Sequence, residues 1–367
     1  MWGDIAIAFL LAFITTFVLT PYTIKIAHKI GAIDIPKDER RMHKKPIPKF
    51  GGPAIIVGFL VSTIYLIFTS SLEGNLNIFG PEEYWLKLIG FLAGIITLST
   101  FCYFDDVKGI HPLVKLLGQT IAASIVVACG VRIDYFDIPF LDGNIVLGNI
   151  ISIIITMLWI VGITNAINLI DGLDGLSTGI SIISCMSLLI IFALNGSPLI
   201  AIIMITTLVG ALSGFLPFNF NPAKTFIGDI GSNFIGFSIS IISILGVAKT
   251  ATAFVIVLPI IVLGLPIFDT LSAIVRRLIK GRSLKAVFQA DKGHLHHKLI
   301  EKGFSQKEAV LTLYGISVAC GMFAVILFES DIWKAISFAL MVVAVIAIGY
   351  KEFFKLKEES KEENKED

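Results

Sequence analysis

Long unbroken apolar runs, separated by shorter polar stretches, dominate the chain. A helix needs about 20 mostly apolar residues to cross a bilayer, with a usual range of roughly 17–25. Eleven runs approach or meet that length: residues 5–26, 51–68, 86–104, 113–129, 145–163, 178–194, 198–216, 232–247, 250–268, 309–327 and 332–350. They are too long for strands and lack an alternation of period two. The pattern therefore predicts an all-α, polytopic bundle of about eleven transmembrane helices and not a barrel. The eighth run is short and holds several Gly and Ser. The ninth carries Pro259 and Pro266, which predicts a kink or a break. The first run has no Lys or Arg before it and no small-residue cleavage site after it, so it reads as a retained anchor. Residues 1–350 then form one transmembrane domain. Residues 351–367, where Lys and Glu alternate, form a solvated tail.

Composition supports the membrane reading. Hydrophobic residues make up 55% of the chain and charged residues 16%, against about 25% charged in a soluble domain. Mean hydropathy is +0.87. The net charge of +1, from 29 Lys+Arg against 28 Asp+Glu, excludes a generally basic nucleic-acid binder. The basic residues are unevenly placed. The loop after the first run and the loops on its side hold 25 of the 29 Lys+Arg; the other side has only Lys87, Arg132, Lys249 and Lys334. By the positive-inside rule the basic side is cytoplasmic. An odd number of spans then places the N-terminus outside and the tail inside. Cys102, Cys129, Cys185 and Cys320 sit in apolar runs without Cys-x-x-Cys spacing, as small buried residues do.

The chemistry-bearing residues crowd the loops of the basic side. The first loop, residues 31–50, includes Lys45 and Lys49 and leads into Gly51-Gly52. Ordinary positive-inside charge and attraction to anionic lipid both explain such a loop. So does a phosphate clamp, in which the Gly pair lets the backbone approach a ligand closely. The second loop opens with Asp105-Asp106 and continues through Lys108, His111 and Lys115. A carboxylate pair at a helix C-terminus faces the negative end of the helix dipole. Ionisable groups at the edge of the hydrocarbon are functional candidates. Adjacent acids suit Mg²⁺ binding, or proton chemistry with one raised pKa.

The third loop, residues 165–175, carries Asn165, Asn168, Asp171-Gly172 and Asp174-Gly175. If helical, Asp171 and Asp174 share a face. A Ca²⁺ loop of the EF-hand type is excluded, because no twelve-residue acidic ladder ends in Glu. The fourth loop, residues 217–232, holds Asn219, Asn221, Lys224, Phe226 and Asp229. Asp229 stands just before the eighth run and is placed to cap it. Phe226 offers a face on which a base can stack. No Gly-Lys-Ser/Thr follows, which excludes a Walker A loop. The fifth loop, residues 279–307, holds Arg282, Asp291, His294, His296 and His297, with Arg276 and Arg277 just before it. His-x-His-His would suit zinc, but no acid or Cys partner stands in clear ligand spacing. Imidazoles beside Arg and Lys suit phosphate oxygens or proton transfer. Acids for Mg²⁺, bases for phosphates and Asn/Phe groups for a nucleobase thus meet on one membrane face. The pattern indicates a membrane-embedded, metal-dependent enzyme acting on a cytosolic pyrophosphate compound.

Four blocks carry a resemblance to a known family. They are Phe104-Asp105-Asp106 with Lys115-Leu116-Leu117-Gly118-Gln119; residues 165–175; Phe218-Asn219 with Phe226-Ile227-Gly228-Asp229; and Asp291-Lys292-Gly293-His294-Leu295-His296-His297. With these the chain resembles the polyprenyl-phosphate N-acetylhexosamine-1-phosphate transferases, most of all the branch that uses UDP-N-acetylglucosamine. The resemblance implies that undecaprenyl phosphate attacks the β-phosphorus of UDP-N-acetylglucosamine. The products are undecaprenyl-diphospho-N-acetylglucosamine and UMP, in the first membrane step of cell-envelope polysaccharide synthesis. It implies Mg²⁺, with Mn²⁺ a substitute, a bacterial plasma membrane, and an active site facing the cytoplasm; a homodimer stays open. By the same resemblance Asp229 ligates the metal with Asp106 beside it, and Asp105 deprotonates the lipid phosphate. Asn168, Asp171, Asp174, Asn219 and Phe226 line the nucleotide pocket. His296 and His297 join the catalytic set and, with Arg277, Arg282 and His294, meet the substrate phosphates. Lys45, Lys49 and Lys115 favour the lipid phosphate or the uridine.

The sister branch, which transfers phospho-N-acetylmuramoyl-pentapeptide, is the alternative within the family. The eleventh run, the tail and the form of the His block argue against it. A secondary transporter predicts mid-bilayer acids and an inverted repeat, whereas these acids sit at run ends on one face. An intramembrane aspartyl protease needs Gly where Phe226 stands.

Overall fold

The computed structural model describes residues 2–36, 45–72, 83–136, 145–247, 257–281, 283, 286, 291, 293–330 and 332–343. The helices are α1 (Trp2–Ile30), α2 (Gly52–Leu72), α3 (Glu83–Lys108), α4 (Pro112–Ala128), α5 (Asn149–Ile170), α6 (Leu176–Leu194), α7 (Leu199–Asn219), α8 (Gly228–Val247), α9 (Val257–Val262), α10 (Gly264–Gly281), α11 (Leu295–Glu301) and α12 (Gln306–Glu329). A shorter apolar helix, Ile332–Val343, follows. Among the described residues eight helices are long and apolar enough to cross a membrane; α4 and the last helix are shorter. The protein is a multi-pass helical membrane protein. The all-α expectation needs one addition, two short antiparallel ribbons. One pairs β1 (Ile33–Asp34) with β2 (Ile47–Pro48); the other pairs β3 (Tyr135–Phe136) with β4 (Ile145–Val146). β4 takes the residues expected to open the fifth run, so α5 begins four residues later, at Asn149.

The break expected in the ninth run falls between α9 and α10. Pro266 has no N–H to offer the Val262 carbonyl. Ser184 of α6 donates its hydroxyl to that carbonyl at 3.4 Å. A neighbouring helix thus satisfies the group that proline orphans, as a membrane interior requires.

α7 and α8 form the buried centre of the bundle. α8 packs against α2, α3, α5 and α7, while α7 packs against α1, α2 and α6. Without a hydrophobic drive between helices in lipid, tight van der Waals packing must hold them. The α1–α7 contact shows how. A Cβ on Gly210 would lie 2.3 Å from the Phe9 carbonyl oxygen, and one on Gly214 would lie 2.4 Å from that of Phe13. The small pair, one turn apart, lets the two backbones touch. Gly51-Gly52 serves a similar end, which corrects the expectation that it admits a ligand. A Cβ on Gly52 would stand 2.3 Å from the Gly231 nitrogen. The Gly51 and Gly52 N–H groups donate to the carbonyls of Phe226 and Ile227 at 3.0 and 2.8 Å. The start of α2 is therefore tied to the turn before α8.

Bonds of this kind gather one set of helix ends. The C-terminal ends of α1, α3, α5, α7 and α10 meet the N-terminal ends of α2, α4, α6, α8 and α12 on one side of the bundle. The described residues of the five loops singled out in the sequence lie there.

The α1–α7 contact makes a direct prediction. Gly210→Val should separate the helices and cost about 1–3 kcal/mol by overpacking, read as a lower melting temperature in detergent. Gly162, whose Cβ would meet nothing within 4 Å, is the control: Gly162→Ala should leave melting unchanged or raise it.

Candidate active site

The site is built on the N-terminus of α8. The first N–H groups of a helix have no partner within it. Here Asp106, at the end of α3, supplies the acceptors: one carboxylate oxygen takes the Asp229 N–H at 2.9 Å and the other the Ile230 N–H at 3.0 Å. Its side chain is fully buried, and the Lys49 ammonium lies 3.6 Å away. Gly228, at φ +75°, makes this approach feasible, since a Cβ there would stand 2.9 Å from the Asp106 carboxylate and 2.4 Å from the Lys49 carbonyl oxygen. The expectation that Asp229 caps α8 is therefore corrected. Asp229 is the second residue of the helix, and the cap comes from another helix.

Freed from capping, the Asp229 carboxylate accepts from the Lys115 ammonium and from the Asn168 amide at 2.9 Å. Lys115 also donates to the Asn168 carbonyl oxygen at 2.9 Å and lies 3.2 Å from Asp105. Asp105 in turn accepts the Ile110 N–H at 3.0 Å. One lysine from α4 thus joins acids from α3 and α8 to an amide from α5. A second network lies beneath it. Asn165 donates to Gln119 at 2.7 Å, Gln119 to Asn233 at 2.7 Å, and Asn233 to the Asp229 carbonyl at 2.8 Å. Buried polar groups that are fully paired in this way fix a single arrangement.

Asn165 and Asn168 lie inside α5, which continues to Ile170, and not in a loop. Asp171 and Asp174 follow in turns, so they do not share a helical face. Asp174 instead accepts from the Asn221 amide and the Ala223 N–H, each at 3.0 Å. A cavity of about 370 Å³ opens among these groups. Asp34, Asp106, Asp171, Asp174 and Asp229 line it with Lys49, Asn168, Phe226 and Gln306. Its carboxylates outnumber its cations. Burial, and then the nearby Asp229 and Asp106 carboxylates, push the Asp171 carboxyl up to about 8. Among the described residues no three His, Cys, Asp or Glu side chains stand together as a complete metal cage. Mg²⁺ needs none, because it is held by one or two carboxylates plus substrate phosphates. The donors and the surplus negative charge fit it.

The remaining predicted residues divide. Asn219 is buried outside the cavity, accepting from Thr178 at 2.7 Å and donating to the Thr225 carbonyl at 3.0 Å. Lys45 is exposed and does not line the cavity. His294 precedes α11, while His296 and His297 lie in its first turn. His296 is buried against Gly172, where a Cβ would be 2.3 Å from its Nε2. Burial, then the two neighbouring imidazoles, push its pKa down to about 3, so it is neutral at pH 7. The guanidinium of Arg277 lies 3.5 Å from His294 Nε2. Arg282 lies outside the described residues. The sequence reading passed over Asp34, Gln306 and Asp269. Asp269 was open to discovery, as an acid directly after an apolar run; Asp34 was masked by the basic loop around it.

Residues 88–247 match glycosyl transferase family 4. Over 345 residues the chain is 37% identical to a probable undecaprenyl-phosphate N-acetylglucosaminyl 1-phosphate transferase of Bacillus subtilis, covering 94% of this chain and 90% of the relative. The chain belongs to glycosyl transferase family 4. A decaprenyl-phosphate N-acetylglucosaminephosphotransferase of Mycolicibacterium smegmatis is 33% identical over 94% of the chain and 87% of its own length. A phospho-N-acetylmuramoyl-pentapeptide-transferase of Geobacillus is 31% identical over 89% and 98%. This family 4 member is thus a membrane-embedded transferase, an enzyme and not a transporter. The matched segment runs from α3 to α8 and contains Asp105, Asp106, Lys115, Asn168 and Asp229.

Two predictions follow from the geometry of this family 4 site. Asp106→Ala leaves two buried N–H groups of α8 without acceptors, each unmade bond costing about 1–3 kcal/mol, so the melting temperature should fall sharply. Asp171 binds its proton more tightly folded than unfolded. Its contribution to stability is present below the unfolded pKa and is lost as pH rises toward about 8. Asp171→Asn should therefore melt increasingly above wild type between pH 5 and pH 9, and parallel pH profiles would contradict the shift.

Proposed function

We propose that the protein transfers N-acetylglucosamine 1-phosphate from UDP-N-acetylglucosamine to undecaprenyl phosphate, releasing UMP. The observation that carries the reading is the network that joins Asp105, Lys115, Asn168 and Asp229, from four different helices, of which Asn168 and Asp229 line the acidic cavity. The whole-length likeness to the Bacillus subtilis transferase supports the choice of substrates. A lipid-phosphate oxygen forms the new bond to the β-phosphorus. The bond from that phosphorus to the bridging oxygen breaks, and the electron pair leaves with UMP.

Asp105 takes the proton of the lipid phosphate, held in place by Lys115. Asp229, with Asp106 beside it, holds Mg²⁺, which neutralises pyrophosphate charge when bound. Asn168, Asp171, Asp174 and Phe226 surround the nucleotide. Arg277 and His297 meet phosphate oxygens, and Lys49 supplies further positive charge. Both reactants are anionic, so fixed cations around the reacting atoms do much of the catalysis. The polyprenyl tail takes the apolar groove of about 500 Å³ along α10, lined by Phe268, Leu271, Val275 and Ile279 with Arg276 and Lys280. The bias of Lys and Arg toward one side supports a site that faces the cytoplasm.

The test is UMP release by detergent-purified protein with Mg²⁺, undecaprenyl phosphate and either UDP-N-acetylglucosamine or the muramoyl-pentapeptide nucleotide. Release with the first, abolished by EDTA, is expected; release only with the second would move the protein to peptidoglycan synthesis. Asp229→Ala should abolish turnover in a folded protein. Asp105→Asn should lower kcat by about 10²–10⁴-fold, the usual worth of a general base, while nucleotide binding persists.

A further inference from the structure

Asp269 lies in α10, one residue past the exposed Phe268, yet it is only 2% exposed. Its partners account for this burial. One carboxylate oxygen stands 2.7 Å from His294 Nδ1, and the other accepts the Leu295 N–H at 2.8 Å. A carboxylate only accepts, so Nδ1 carries the proton. His294 Nε2 then presents its lone pair to the Arg277 guanidinium, 3.5 Å away. His294 itself is buried. The three side chains form a line in which each fixes the next: acid, imidazole, guanidinium. A second tie runs alongside. Arg276 binds Asp291 at 2.6 Å through Nε, and Asp291 accepts the Gly293 N–H at 3.0 Å. The Gly293 backbone lies so close to Arg276 that a Cβ would be 2.1 Å from its Nε. The segment before α11 is thus secured to α10 at two points. Asp291 neutralises one arginine of the adjacent pair, and the Asp269–His294 tie orients the other.

We propose that Asp269 is a positioning residue that, through the tautomer of His294, aims Arg277 at a phosphate of the nucleotide substrate. His294 is on this account a link and not a ligand of the substrate. The inference rests on the reading given under Proposed function. A phosphate clamp must be held close to its productive geometry, and the supporting groups supply that hold. Asp269→Asn offers an amide N–H where the imidazole needs an acceptor. That reverses the tautomer and turns an N–H toward Arg277.

The experiment compares wild type, Asp269→Asn, Arg277→Ala and the double variant in full-length protein. It measures kcat and KM for UDP-N-acetylglucosamine, UDP affinity by calorimetry, and melting temperature. Wild-type turnover and UDP binding establish the functional reading first; their absence would count against that reading alone. With them in hand, each single variant should raise KM and weaken UDP binding about tenfold, the range of a supporting-group mutation. kcat should change less than KM. The double variant should be no worse than Arg277→Ala, because Asp269 acts through the arginine. Multiplying effects, or wild-type KM in Asp269→Asn, would overturn the proposal. Should Asp269→Asn fail to fold, His294→Asn takes its place. It retains a donor for Asp269 but has no Nε2, and it should match Arg277→Ala; wild-type affinity there would equally overturn the proposal.

Discussion

The carboxylate of Asp106 against the first turn of α8 is the contact on which the site depends. Taken alone, each partner is badly placed. An acid at the end of α3 opposes the negative end of its own helix dipole. The free N–H groups of α8 lie buried, where an unmade hydrogen bond costs about 1–3 kcal/mol each. Joined, they cancel both penalties, because the acid meets the positive end of a different helix. The hydrogen bonds outweigh the dipole term, which is worth about 0.3–1 kcal/mol at an exposed helix end. The same contact sets the position of Asp229, and so the position of everything Lys115 gathers around it.

Charge explains why the rest of the cavity looks as it does. Among the described residues, five carboxylates face a small space with Lys49 the one basic residue lining it. Such a surplus is costly in a folded protein without ligands; burial first, and then the neighbouring Asp229 and Asp106 carboxylates, raise the pKa of Asp171. On the proposed reading a divalent cation would relieve that surplus before the anionic substrate enters. Arg276, Arg277 and Lys280, on α10, do not line this cavity. On the proposed reading that separation would suit a reaction between two anions, with the acids grouped around the metal and the basic turn of α10 apart from them.

Much of this was legible in the chain itself. Apolar run length located the helices, and Pro266 located the break before α10. The motif residues Asp105, Asp106, Lys115, Asn168 and Asp229 do come together. The failures share one cause, partners remote in sequence. Asp229 looked like a local cap because helix starts favour Asp, but the cap is 123 residues away. Gly51-Gly52 looked like a ligand contact because nothing local reveals that Gly231 lies against it. Asn165 and Asn168 looked like loop residues because amides suit turns; in α5 their partners are on α4 and α8. Asp269 escaped notice because its imidazole lies 25 residues downstream.

α10 shows why one helix can serve both substrates. Phe268, Leu271, Val275 and Ile279 recur at intervals of three and four and are more than half exposed. They form one stripe, suited to lipid. Leu265, Asp269 and Ala273 recur at intervals of four on the opposite, buried face. The stripe ends near Arg276, Arg277 and Lys280, where the basic residues begin. A chain lying along the apolar stripe would therefore bring its phosphate end to the basic turn. The buried row, through Asp269 and His294, holds α11 against that same turn. Proline marks where this helix starts. Pro266 cannot donate to Val262, and α10 begins at Gly264 just past that carbonyl, with one face exposed and the other buried.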